Sequence, residues 1–252
     1  MSQLDICLRE DIYQTYHPFV LGALNRQVTN AAPAKSITLD PERAAFMCAH
    51  KSVAGQKVLD IGANQGYMSI EAALRGALSV DAFESNEIDG AFLSQAAMAF
   101  PELGALSAHA LNYEFAQTNT RWNYVVCLNV LHHVGRYFDG HISDMEQAKI
   151  AMGEHLQRLL LKGGCVWLQL GFNWQGDTLQ PMFANGTKGE MTDFVEGLLG
   201  ADAHIATVGI YSPDSHAYEA VALNDRAHPL WQRMEGLGEF GNRPLYLIES
   251  VR

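Results

Sequence analysis

Basic residues are scarce in this chain. Lys and Arg number 17 against 28 Asp and Glu, giving a formal net charge of −11. An acidic surface repels phosphate backbones, so nucleic acid is an unlikely partner, and no dense basic run offers a local patch. Cysteine is sparse too. Cys7, Cys48, Cys127 and Cys165 form no C-x-x-C pair, so neither a metal site nor a redox motif is expected. Cys127 and Cys165 lie in apolar runs that read as buried strands, as in a reduced, cytoplasmic chain. Residues 1–11 carry acids where a secretory leader needs a basic start and an apolar stretch. No apolar run approaches the roughly 18 residues that span a bilayer, so no membrane span is expected. Internal repeats and low-complexity segments are absent.

What is present is enough apolar material for a large core. The 252 residues are 48% hydrophobic and 18% charged, with 22 Gly and 8 Pro, which excludes disorder and allows one large α/β domain with additions. The reading divides the chain into an N-terminal helical extension or lid, 1–51, and a main domain, 52–252. A helix over 10–25 places Tyr13, Tyr16, Phe19 and Val20 partly on one face, with Pro18 at its start or as a break. Ala31-Ala32-Pro33-Ala34 reads as a linker. Asp40-Pro41-Glu42 then opens a helix, with Asp40 as cap and Pro41 at the first helical position.

From Lys57 the pattern alternates. Val58-Leu59-Asp60-Ile61 is a short apolar run entering a glycine turn, and 65–75 is helical. Strand 78–84 and helix 86–100 follow, then strands at 106–111, 124–130 and 165–170. Ser143-Asp144-Met145-Glu146 matches a capping box ahead of apolar residues at helical spacing. Strands separated by helices are βαβ units, so the predicted fold is α/β: a doubly wound, mostly parallel sheet with helices on both faces. Farther on, 188–199 reads as helix, 205–211 and 245–249 as strands, and 217–223 as a strand or buried loop.

In such a sheet, ligands bind beyond the carboxyl ends of the strands. The turn there is Asp60-Ile61-Gly62-Ala63-Asn64-Gln65-Gly66. Its G-x-N-x-G spacing is not the dinucleotide G-x-G-x-x-G, which disfavours a nicotinamide oxidoreductase. A second acid, Glu84, stands 22 positions after Gly62 at the end of the second strand. A carboxylate there can accept hydrogen bonds from both hydroxyls of a ribose.

These segments, over roughly residues 52–171, resemble class I S-adenosylmethionine-dependent methyltransferases. Residues 58–67 resemble the family's first motif, and Val80-Asp81-Ala82-Phe83-Glu84-Ser85-Asn86 its acidic ribose motif. Residues 124–134 resemble the fourth-strand motif, and Leu160-Leu161-Lys162-Gly163-Gly164 the turn before the fifth strand. The resemblance implies a seven-stranded sheet whose last, antiparallel strand is 245–249. It implies S-adenosylmethionine as cofactor, bound by Asp60, Gly62, Asn64 and Gly66, with Glu84 on the ribose and Asn129 beneath the reacting methyl. Where families often place an acid after the third strand, this chain has Asn112, the candidate adenine contact.

Methyl transfer to oxygen or nitrogen often needs a proton removed, which suits a histidine. His132 and His133 follow the fourth strand, so either is a candidate base or orienting group. Candidate acceptor contacts are Tyr13, Tyr16 and His17 in the N-terminal segment, Phe172 and Trp174 after the fifth strand, and Arg243 for an anionic acceptor. The expected acceptor is a small molecule: a metabolite, sugar or natural product. Alternatives are a tRNA modifier similar to the uridine carboxymethyltransferases and a cofactor-binding scaffold without catalysis. A homodimer is compatible with the sequence.

Overall fold

The computed structural model describes residues 14–23, 39–116 and 121–251. Tyr13 lies outside them. Among the described residues, eight strands form one sheet. They are β1 (Lys57–Ile61), β2 (Ser79–Phe83), β3 (Leu106–His109), β4 (Tyr124–Leu128), β5 (Cys165–Gln169), β6 (Ala203–Ser212), β7 (Ala217–Ala220) and β8 (Leu245–Ser250). Their order is β3-β2-β1-β4-β5-β8-β6-β7. The pairs from β3 to β5 are parallel. β8 runs antiparallel to both β5 and β6, so the expected antiparallel strand is present.

The sheet has one strand more than the expected seven. β7 returns from β6 as an antiparallel edge hairpin. Its Tyr218 is buried with the ring 5.8 Å from Tyr211 and 6.0 Å from Phe46, so this short segment has an apolar anchor and folds as strand, settling the choice between strand and loop.

Alternation along the strands builds two cores, one on each face. Val58, Val80, Tyr124, Val126, Trp167, Leu245 and Leu247 pack with α2 (Asp40–His50), α3 (Tyr67–Leu74) and α4 (Glu87–Ala99). Leu59, Ile61, Val125, Cys127, Val166, Leu168, Tyr246 and Ile248 pack with α5 (Met145–Lys162) and α6 (Lys188–Leu198). Tyr16 and Val20 belong to the first core, the latter from α1 (Pro18–Ala23), which starts at the proline. A short α7 (Gly238–Gly241) precedes β8.

Two caps differ from expectation. Leu39, in left-handed backbone at φ 57, precedes α2, and Asp40 is its first helical residue. The Asp40 carboxylate is occupied elsewhere: it takes the Arg43 guanidinium and the backbone N–H of Thr15 at 2.9 Å. At α5 the cap is Asp144, one residue later than the Ser143 box implies, with its carboxylate accepting from Gln147 N at 2.9 Å. The reciprocal capping box of the structure is Thr187 with Glu190, at the start of α6.

Candidate active site

β1 is where the sheet order reverses, with β2 on one side and β4 on the other. Crossovers leave in opposite directions there, opening a crevice at the strand ends. A cleft of about 790 Å³ fills it, lined by the turn after β1, the end of β2 and the segments after β3 and β4.

The turn is shaped by backbone conformation. Gly62, Asn64 and Gly66 have φ of 68, 53 and 75, in the left-handed region that glycine enters without cost. A Cβ on Gly62 would stand 2.7 Å from Val130 Cγ2, and one on Gly66 2.2 Å from Leu93 Cδ1. The N–H groups of Gly62 and Ala63 both donate to the carbonyl of Phe83, at 2.9 and 3.0 Å. The first turn is thereby tied to the end of β2, which carries Glu84.

Glu84 accepts from Asn64 N at 2.8 Å and from Asn86 N at 2.6 Å, one bond to each oxygen. A carboxylate has about four acceptor sites, so each oxygen keeps capacity for a ligand hydroxyl. Burial raises its pKa against these bonds. Asp60 is buried deeper. Burial pushes its carboxyl up to about 6, although the Ser69 hydroxyl donates to it at 2.5 Å. Asn64 Oδ1 is buried with no hydrogen-bond partner.

Asn129 follows β4 in left-handed backbone, at φ 61. Its amide belongs to a chain of bonds under the cleft floor. Arg243 donates from Nη1 to Asn129 Oδ1 at 2.8 Å, and Asn129 Nδ2 donates to Gln169 Oε1 at 3.2 Å. Arg43 donates to the same Gln169 oxygen at 2.9 Å. Gln169 Nε2 donates to the Arg243 carbonyl at 3.0 Å and to the Tyr218 hydroxyl at 3.2 Å. A guanidinium at each end fixes which way both amides point.

Of the candidate residues from sequence, Asp60, Gly62, Asn64, Glu84, Asn112, Asn129 and His133 line the cleft. Asn112 is exposed there and donates to the Tyr137 carbonyl at 3.1 Å. Gly66 lies behind the turn as the residue before α3.

His132 does not reach the cleft. It is 1% exposed and its Nδ1 accepts from Gly171 N at 3.1 Å. A proton acceptor already occupied by a backbone N–H, with burial holding its pKa well below the ordinary value, does not suit base chemistry. In the short helical turn Leu131–His133 that follows β4, His132 is buried while His133 lines the cleft. His133 keeps a low pKa of about 4, first through burial, then through Arg243 and Arg136.

The candidate acceptor contacts correct likewise. Tyr16 is buried against Phe92, ring centroids 4.9 Å apart. His17 lies 2.7 Å from Glu71, with its ring centroid 4.8 Å from that of Tyr67 and tilted to it. Phe172 is in the second core, and Trp174 is buried with its Nε1 donating to Val134 O at 2.8 Å. Arg243 is 4% exposed and paired with Glu239 at 2.6 Å, so it braces Asn129 and is not open to an anion.

Other residues take their places. Gln14 reaches the cleft from the N-terminal segment: its N–H donates to Gln65 Oε1 at 3.3 Å, and its Oε1 accepts from Tyr67 N at 3.2 Å. Arg43 lines the floor, and Arg136, Tyr137 and Phe138 line the wall after β4. Sequence gave one signal for Arg43, its spacing of three from Asp40 on a helix; for Gln14 and Arg136 it gave none.

No protein-family model matches the chain, and no curated protein does. Among solved structures it is similar to the bifunctional kinase-methyltransferase WbdD, with 17% identity and a TM-score of 0.52. That match covers 95% of this chain and 44% of WbdD, so the chain spans less than half of that protein. It is also similar to magnesium protoporphyrin IX methyltransferase from Synechocystis PCC 6803, solved with bound SAM. Identity there is 18% and the TM-score 0.50, over 83% of this chain and 77% of the other. Identities this low speak for the fold alone: the chain has the Rossmann-like fold of class I S-adenosylmethionine-dependent methyltransferases.

Proposed function

We propose that this chain transfers a methyl group from S-adenosylmethionine to an oxygen or nitrogen of a small molecule. The observation that carries the reading is the cleft at the switch point, where Glu84 and Asp60 converge on the left-handed turn. Its unmet bonding matches what the cofactor presents. Glu84 has acceptor capacity for ribose hydroxyls, while Asn64 Oδ1 lacks a donor and Asp60 lacks a countercharge strong enough to keep its pKa low. The methionine part of the cofactor carries an ammonium and a sulfonium, donor and charge for both. Gly62 leaves room for Val130 Cγ2, 2.7 Å from where a Cβ would stand, so the turn can close on the segment after β4, and Asn112 stands beside the third strand for the adenine.

The cofactor supplies an activated methyl on a positively charged sulfur. The chain's task is alignment of nucleophile, methyl carbon and sulfur, with water kept out. Asn129, fixed by Arg243 and Gln169, forms the rigid floor for that alignment. His133, neutral at physiological pH, orients the acceptor. The net charge of −11 supports a small acceptor over an RNA.

Calorimetry with S-adenosylhomocysteine tests the reading. Micromolar binding that falls at least tenfold in Glu84→Ala, with the melting temperature kept, is the expected result. Absence of binding by the wild-type chain would sink it, and binding without turnover on any acceptor would favour a scaffold.

A further inference from the structure

Charge is partitioned across the cleft. Its carboxylates Asp60, Glu84 and Asp89 come from β1, the end of β2 and α4. The wall built after β4 carries no acid that lines the cleft; it carries His133 and Arg136. Arg43 on the floor is answered by Asp40. Arg136 is not answered. It is exposed, donates from Nη1 to the Gln175 carbonyl at 3.0 Å, and lies 5.1 Å from the Tyr137 ring centroid. Among the described residues no carboxylate lies within ion-pair distance of it. A guanidinium has five donors in a planar fork that matches carboxylate and phosphate oxygens, so most of that fork remains for a ligand.

The neighbouring groups reinforce this. Burial, then the Arg243 and Arg136 charges, disfavour protonation of His133, against a smaller opposing pull from Gln175 and from Glu239, the partner of Arg243. A base whose pKa lies far below neutrality takes a proton from a neutral hydroxyl or ammonium poorly. The exposed guanidinium of Arg136 favours an anion beside it and favours that anion's ionised form.

Resting on the methyl-transfer reading above, we propose that the acceptor is a small acid docked on Arg136, whose own ionised oxygen, of a carboxylate or a phosphate monoester, is the nucleophile. The step balances without a base. A bond forms between the anionic oxygen and the methyl carbon, the carbon–sulfur bond breaks with its electron pair passing to sulfur, and the sulfonium becomes a neutral thioether. One negative and one positive charge cancel and no proton moves. Charge cancellation of this kind is favoured where water is excluded.

The test incubates the full chain with methyl-labelled S-adenosylmethionine and matched panels: aliphatic and aromatic carboxylic acids, phosphate monoesters, and the neutral alcohols and amides of the same skeletons. Label confined to the acids is expected. Mild alkali distinguishes the two sources, since a carboxylate methyl ester releases labelled methanol and a methyl phosphate keeps its label. Arg136→Ala should raise the acceptor KM ten- to a hundredfold with S-adenosylhomocysteine affinity unchanged, and Arg136→Lys should recover part of the loss. Methylation of the neutral members, of no acid at all, or an acceptor KM indifferent to Arg136→Ala overturns the proposal. Failure to bind S-adenosylhomocysteine would instead overturn the methyltransferase reading beneath it.

Discussion

Replacing Asp60 by Asn should make the ligand-free protein more stable while it weakens cofactor binding. Asp60 is 4% exposed, and burial lifts its carboxyl from the ordinary 3.8 to about 6. The folded chain therefore holds this proton more tightly than the unfolded chain does. Its contribution to stability is fully present below 3.8 and is lost as pH rises through about 6. At about 1.36 kcal/mol per pH unit, that difference amounts to about 3 kcal/mol. Above neutrality the ionised carboxylate costs the fold that much as an upper bound. Asn has nearly the same shape, can still bond Ser69, and carries no charge to desolvate. At pH 8 Asp60→Asn should raise stability by up to about 3 kcal/mol, which for this chain length means about 6–12 °C in Tm. By pH 5 the advantage should fall to about half, because wild-type Asp60 is then mostly protonated. Thermal and denaturant unfolding of both proteins between pH 5 and 8 measures the gap. S-adenosylhomocysteine affinity, read by calorimetry at pH 8, should fall at least tenfold, since the variant offers no charge to the ligand's ammonium. A variant less stable than wild type at pH 8, or a gap that ignores pH, refutes the reasoning.

Two further expectations concern the scaffold. Gly66→Ala forces a Cβ onto left-handed backbone and 2.2 Å from the buried Leu93 Cδ1, which should cost about 2–4 kcal/mol in denaturant unfolding. Gln169→Leu removes the acceptor shared by Arg43 and Asn129 and the donor to Tyr218 and the Arg243 carbonyl. With several buried groups each losing a partner, about 3–5 kcal/mol should disappear from the unfolding free energy at unchanged denaturant slope.

The cofactor end of this cleft was legible because its determinants are local. Gly62, Asn64 and Gly66 lie within five residues and specify a turn by backbone conformation alone. Glu84 follows on the adjacent strand, and its bond to Asn64 N spans only 20 positions. The βαβ rhythm of residues 57–170 places these elements with no need for long-range knowledge. The acceptor side depends on pairings that no window contains. Gln14 meets Gln65 across 51 positions, and Arg43 meets Gln169 across 126. Arg243 reads from sequence as a contact for an anionic acceptor; a partner 114 positions away, Asn129, takes it inside. Trp174 was readable as a pocket wall, but its N–H finds the Val134 carbonyl, which lets the ring be buried. Between His132 and His133 the choice rests on tertiary packing, since the Gly171 N–H that occupies His132 lies 39 positions away.

The same network explains why charge in the cleft is informative. Buried ions are tolerated when paired. The floor obeys this twice, with Arg43 against Asp40 and Arg243 against Glu239, so neither arginine presents a net charge upward. In the cleft, the buried acids Asp60 and Glu84 form no ion pair among the described residues, and neither does the exposed Arg136. Asp60 has the Ser69 hydroxyl and backbone N–H and the more distant Arg43 charge, and burial still lifts its carboxyl to about 6. Arg136 has only a backbone carbonyl and a ring. A cleft that holds buried acids without a cation partner and, on the wall after β4, an exposed cation without a carboxylate partner offers charge to ligands of both signs. The cationic donor answers Asp60. In the proposed reaction an anionic acceptor answers Arg136, and its joining to the donor methyl would cancel the charges that brought the two together.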